Sequence, residues 1–272
     1  MTQLLISPYR VPGPSGGGYD PDAQAMFDAR AAVGDEPSGA YKQAISDYVE
    51  EIKSISGFWD DIIQLVVMAG ATRINSACVA IKGNNLTPIN MVNTDVNIKT
   101  GVAGNGTNKY LRTGYSGNPS GTGQNNFHMY GHFTERNTSI GARTLFGNGG
   151  SAGAGRRVLV QAVSANNTPV RMNGSNAFNG SGSNAGDHGL SRSISTAFTS
   201  LVVSTITTHT DTSVGASSGP YYILARGPNV GSTPEGGSYA NARILIWALG
   251  AGVNLTNYVT PRANLIAALN AI

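Results

Sequence analysis

The chain is 272 residues long, with 12% charged side chains, 40% hydrophobic residues, 36 glycines and a net charge of +3. That apolar share can fill a core, which excludes a wholly disordered chain, and the single cysteine, Cys78, excludes an intrachain disulfide framework. No stretch approaches the roughly 18 apolar residues of a membrane span, and scattered basic residues without interleaved aromatics argue against a nucleic-acid surface.

Charge and composition both break near residue 75. Residues 1–61 hold 10 carboxylates against 4 Lys/Arg, a balance of −6, whereas residues 62–272 hold 5 against 14, a balance of +9. All 25 asparagines lie at or beyond Asn75. Three parts follow: an extended Pro/Gly arm over 1–19, a helical adaptor over 20–74, and a β domain with a terminal helix over 75–272. Met1 to Pro8 carries neither the basic n-region nor the apolar run of a signal peptide, which predicts synthesis in a reducing cytoplasm without export.

In chain order, the arm combines Pro8, Pro12 and Pro14 with Gly16, Gly17 and Gly18. Proline fixes an extended path and glycine adds a joint, so the arm is either a free tail or a strap on a neighbouring subunit. Asp20-Pro21 starts a first helix as N-cap and first residue, and Gly34 ends it. A second helix runs from near Ser38 to about Ser54, with Tyr41, Ile45, Tyr48, Ile52 and Ile55 on one face. This stripe is too short for a coiled coil, so packing on the β domain is favoured over self-association. After Gly57, the spacing of Trp59, Ile62, Ile63, Val66 and Val67 predicts a third helix. Asp60 and Asp61 would sit in its first turn and Gly70 would end it.

Beyond Asn75 the pattern is short apolar runs separated by Gly/Asn turns. Expected strands are 77–82, 95–99, 109–112, 126–135, 143–146, 157–163, 169–172, 200–208, 221–226 and 243–249. With no helical period between them, they indicate an antiparallel sandwich. Asn166-Asn167-Thr168-Pro169 reads as a hairpin turn, and 173–187 as a Gly/Ser/Asn-rich loop. Ile244 to Leu249 is apolar on both alternating faces, as in a strand covered on both sides, with the N-terminal helices as the second cover. Thr260 and Pro261 open a terminal helix with Leu265, Ile266, Leu269 and Ile272 as its buried stripe.

Several stretches carry a family resemblance. They are the helix pair leading into Gly57-Phe58-Trp59-Asp60, the segment Val102 to Thr113, the strand Asn126–Thr134 and Arg143-Thr144-Leu145-Phe146-Gly147. Tyr222 to Arg226 and Ala242 to Gly250, followed by a helix, complete the set. Over residues 40–272 this order resembles a group of bacteriophage virion proteins with a concanavalin A-like (laminin G-like) sandwich. The resemblance implies a mainly β jelly roll preceded by the arm and helices. It also implies a tail-fibre, baseplate or capsid-decoration role in the virion, docking through the N-terminal region. Expected partners are other virion proteins and copies of the chain itself, a trimer being one arrangement, with a host cell-surface glycan as a possible ligand.

The residues offer little chemistry of their own. A glycosidase needs a carboxylate pair about 5–5.5 Å or 6.5–9.5 Å apart, and Asp95, Glu135, Asp187, Asp211 and Glu235 are each isolated in sequence. His128 and His132 share a strand face but stand about 13 Å apart at the usual rise, too far to chelate one ion. Asp187-His188 has no companions in its loop, so no metal and no cofactor are expected. Gly150 to Gly155 precedes Arg156-Arg157 and a strand rather than a helix, which makes it a loop and not a phosphate site. One candidate ligand surface remains. On the strand 126–134, Phe127, Met129 and Phe133 point to the core, leaving His128, Tyr130 and His132 on the other face. These three can stack on a sugar or be covered by helices or a neighbouring subunit, and packing favours the cover. The chain is expected to be non-enzymatic, with a carbohydrate-binding or glycan-cleaving protein as the alternative.

Overall fold

The structure, a computed structural model, describes residues 18–137, 143–149, 157–161, 168–180, 185–227 and 238–272. Most of the arm, the turn residues Asn166 and Asn167, and the run Gly150 to Gly155 lie outside the described residues. In chain order the elements are α1 (Pro21–Ala32), α2 (Gly39–Ser54), the single turn α3 (Phe58–Asp61), β1 (Ile62–Val67), the single turn α4 (Ile74–Ala77) and β2 (Thr87–Ile89). There follow β3 (Val96–Asn97), β4 (Gly101–Ala103), β5 (Tyr110–Ser116), β6 (Phe127–Arg136), β7 (Arg143–Asn148), β8 (Arg157–Gln161), β9 (Thr168–Met172) and β10 (Phe178–Gly180). The last are β11 (Gly186–Arg192), β12 (Ala197–Val203), β13 (Thr205–Thr210), β14 (Pro220–Ile223), β15 (Ala242–Gly250) and α5 (Val259–Ala271).

Among the described residues all the strand pairs are antiparallel, and the strands form two sheets. One runs β13-β12-β11-β6-β15-β4-β3, with β1 sharing the edge of β15; the other runs β10-β9-β8-β7-β14-β5-β2. The sheets face one another across a core in which Phe127 stacks on Tyr221 at 5.2 Å and Phe146 meets Trp247 edge-on at 5.4 Å. The molecule is thus an antiparallel β-sandwich, as expected, with a helical layer on the outer face of the first sheet. That layer packs Phe27, Ile45, Tyr48, Val49, Ile52, Leu265 and Leu269 against Leu65, Val67, Tyr130, Leu201, Ile246 and Ala248. β15 therefore lies between two apolar layers, which explains its unbroken apolar sequence.

The first helix behaves as its sequence dictates. The Asp20 carboxylate accepts from the backbone N–H groups of Asp22 and Ala23, and Gly34 follows the helix at φ +73°. The stripe of α2 is buried against the sheet, matching the favoured packing. Arg30 fastens α1 to the end of β1 by donating to the carbonyls of Val67 (2.5 Å) and Ala69 (2.7 Å).

Several expectations need correction. The third helix stops after one turn, and Ile62–Val67 is a strand paired with β15 over Ile62↔Gly250 to Val67↔Ile246. Its apolar spacing fits both periods, and its four β-branched residues favour the pleated, two-sided burial it finds. The sheet therefore begins before residue 75, so the compositional break does not mark where the sandwich starts. The strand expected at 77–82 is reduced to the turn α4 and a bridge from Lys82 to Leu65. The expected strand 200–208 is two strands, β12 and β13, joined by a tight turn at Val203 with φ +62°. A β-branched residue in that region is an outlier no turn rule anticipates. The loop read at 173–187 contains β10 and the first residues of β11. At the C-terminus, Leu265 and Leu269 are buried as expected, but Ile272 is 43% exposed.

Candidate functional site

β6 alternates as the sequence requires, with Phe127, Met129 and Phe133 in the sandwich core. His128, Tyr130 and His132 face the other way, onto the helical layer rather than solvent, and are 0%, 0% and 6% exposed. The ligand-facing expectation is thereby corrected, because α2, α5 and the segment around Tyr258 occupy the face that a sugar would need.

The three side chains belong to a buried polar network built around Asp187 on β11. Tyr130 donates to Asp187 Oδ1 at 2.6 Å and His132 Nδ1 lies 2.9 Å from the same oxygen. Arg262, from the first turns of α5, donates to Oδ2. Burial works against the Asp187 charge. Even so, hydrogen bonds from His132 and Tyr130 and the charges of His132 and Arg262 outweigh it, and the carboxyl stays below its usual range. The Tyr130 ring stacks on Tyr258 at 4.0 Å, and burial with the Asp187 charge drives its hydroxyl far above the phenol range. Tyr258 O–H in turn meets His128 Nε2 at 2.8 Å, while His128 Nδ1 meets the carbonyl of Ala251. A carbonyl only accepts, so Nδ1 carries the proton and Nε2 accepts from Tyr258. Burial lowers the His128 pKa to about 4, keeping that ring neutral.

Strand alternation separates the neighbours Asp187 and His188. Asp187 reaches the helical layer, whereas His188 turns into the sandwich. There its Nδ1 is 3.0 Å from the Gly186 carbonyl and Arg136 lies 2.7 Å from Nε2. The same strand ends in Arg192, fully buried and donating to the carbonyls of Met172 and Asp211. Arg157 on β8 is also fully buried. It stacks over Phe127 at 3.9 Å and donates to Tyr221 (2.6 Å), Asn118 (2.7 Å) and the carbonyls of Gly117 and Gly123 (both 2.9 Å). Burial depresses its pKa, and guanidinium geometry suits this planar, multiply bonded role. Tyr258, Arg262 and Arg157 had no sequence signal as site residues, since most of their partners lie 30 or more positions away.

The described carboxylates of the β region each have their own partners: Lys109 for Asp95, Arg243 for Glu135, the network above for Asp187, and Asn176 for Asp211. Glu235 lies outside the described residues. Among the described residues no group of three or more His, Cys, Asp or Glu is placed to hold a metal ion. What the arrangement can do is fasten α5 and the sheet together through charge-assisted hydrogen bonds.

Beside the helical layer the outer face of β11–β13 stays open as a groove of about 350 Å³. Ser191, Ile194, Thr199, Ile206, Thr208 and Asn254 line it. No aromatic side chain is among the exposed large apolar residues of the described surface, which are Val33, Val92, Ile98, Ile194, Ile206 and Ile272.

No protein-family model matches the sequence, and no curated protein matches it either. Among solved structures it is similar to Trypanosoma rangeli sialidase in complex with 2,3-difluorosialic acid, a covalent intermediate. The identity there is 12% and the TM-score 0.47, covering 83% of this chain and 39% of that one. The same enzyme in complex with sialic acid matches at 11% identity and TM-score 0.44, covering 80% of this chain and 37% of that one. The chain thus spans about two fifths of the length of these structures.

Proposed function

We propose that this chain is a non-enzymatic structural component of a phage particle, docked through its N-terminal region with the β-sandwich turned outward. The observation that carries the reading is the fate of the reactive side chains. His128, Tyr130, His132, Asp187 and Arg262 are spent on one internal network that joins helices to sheet. A face so consumed serves cohesion, and a chain with only 12% charged side chains suits contact rather than turnover. The resemblance of residues 40–272 to virion sandwich proteins supplies the particle context. Mass spectrometry of purified particles tests it: the chain is expected at stoichiometric copy number, and consistent absence from particles sinks the proposal. Because α1 and α2 pack into the fold, the docking element is best tested by removing residues 1–17 alone. Loss of incorporation with an unchanged fold is the expected result.

The groove beside β13 favours a second reading, a carbohydrate-binding surface, since its size and its mixed lining, hydroxyls and one amide beside Ile194, Phe198, Ile206 and Val253, fall in the range of small-ligand sites. A glycan array probed with the whole chain separates the two. Specific binding lost on Thr199→Val favours the second reading, and a blank array favours the first.

A further inference from the structure

Sheets end in strands whose outer N–H and C=O groups can pair with another chain, and proteins usually blunt those ends. Of the five described strands that pair with one strand only, β1 is bridged along its other edge by Lys82 and three more are short. β3 has two residues, β10 has three, and β2 has three with Pro88 at its centre. β13 is different. It runs six residues, Thr205-Ile206-Thr207-Thr208-His209-Thr210, with no proline, glycine, lysine or carboxylate. Its register with β12 is unbroken from Ala197↔Thr210 to Val202↔Thr205, so no bulge twists it away. Thr205, Ile206, Thr208 and Thr210 are exposed, so among the described residues neither a helix nor a loop covers the strand. Burial lowers the His209 pKa, and the ring packs between Phe178 and Phe198, each 4.8 Å away. The strand is therefore uncharged at neutral pH.

We infer that β13 pairs antiparallel with β13 of a second copy of this chain, joining the two first sheets into one continuous sheet across a two-fold axis. Self-pairing is favoured over a foreign strand by what the edge lacks and what it carries. An uncharged strand meets its own copy with no like charges opposed. Directly opposed residues share a face, so the axis passes through Thr207 or Thr208. Ile206 then faces Thr208 or Thr210, which are β-branched pairings suited to a sheet. Two of the six exposed large apolar side chains of the described surface, Ile194 (54%) and Ile206 (40%), flank this edge. A two-fold contact also uses up the edge, closing the assembly as a dimer rather than a fibre.

Sedimentation velocity of the purified full chain over a wide dilution range tests this without reference to any particle, so its failure and failure of the virion reading are distinguishable. The wild type is expected to sediment as a dimer that dissociates on dilution. Ile206→Lys/Thr208→Lys is expected to lose the dimer with an unchanged circular dichroism spectrum, and Thr208→Val to retain it. A wild type monomeric at every concentration, a trimer without a dimeric species, or a dimer unaffected by the two lysines overturns the proposal. If the lysine variant fails to fold, hydrogen exchange of the wild type decides. Amides of 205–210 protected at high concentration and released on dilution support the pairing, and amides exchanging freely throughout overturn it.

Discussion

His128 and His188 are both wholly buried, and burial lowers their pKa values to about 4 and about 3, with the Arg136 charge adding to the effect at His188. In the unfolded chain each titrates near the ordinary 6.5. Below that value the unfolded state binds protons that the native state refuses. The stabilisation is therefore full above pH 6.5 and is lost as pH falls toward 4. Urea unfolding between neutral and mildly acidic pH should show stability dropping by about 1.4 kcal/mol per pH unit for each such histidine. His188→Gln should flatten that slope, whatever it does to the absolute midpoint. Asp187 acts in the same direction at lower pH. Its native pKa lies below the usual carboxylate value, so its contribution is present above that value and fades as pH falls through the native one. Asp187→Asn keeps the shape but leaves Arg262 without its counter-charge, and should cost about 2 kcal/mol by denaturant titration.

Among the elements, β1 is the one whose sequence conceals its role. It carries Gln64, fully buried, which accepts from Trp247 Nε1 at 2.9 Å and donates to the carbonyls of Asn84 (2.6 Å) and Thr113 (2.9 Å). Thr113 belongs to β5 in the other sheet, so one amide ties β1, β15 and the facing layer together. Gln64→Leu has nearly the right volume but strands an indole N–H and two carbonyls. Thermal or urea unfolding should report a loss of about 2–4 kcal/mol. The register slip between Ile62 and Gln64 in the pairing of β1 with β15 marks where the strand departs from regular alternation. A hydrophobic count cannot anticipate this, because Ile62, Ile63, Val66 and Val67 satisfy a helix and a strand template equally.

Across the molecule, the helical layer and the first sheet share one apolar cluster, from Phe27 and Ile45 to Ile246 and Leu265. A fragment starting at residue 75 lacks α1, α2 and β1, and would expose both the outer face of β15 and the edge that β1 covers. That fragment should bind a hydrophobic dye, lose near-ultraviolet circular dichroism and aggregate, whereas the intact chain should not. A cooperative, monodisperse 75–272 fragment would contradict the shared core described above.

What the sequence determined unaided is whatever depends on local chemistry. Asp20-Pro21 starts a helix, the stripe of α2 seeks an apolar face, and Phe127, Met129 and Phe133 share one side of a strand. The two-sided apolar run of β15 calls for cover on both faces. What the tertiary structure alone decided is which partner each element found. Ile62–Val67 became a strand because β15 offered an open ladder there. Residues 186–192, poor in β formers, became a strand because β6 and β12 bracket them. His128, Tyr130 and His132 lost their access to solvent because α5 and Tyr258, more than 120 positions later, close over them. Such choices rest on contacts between distant parts of the chain, whose energies no local window of residues contains.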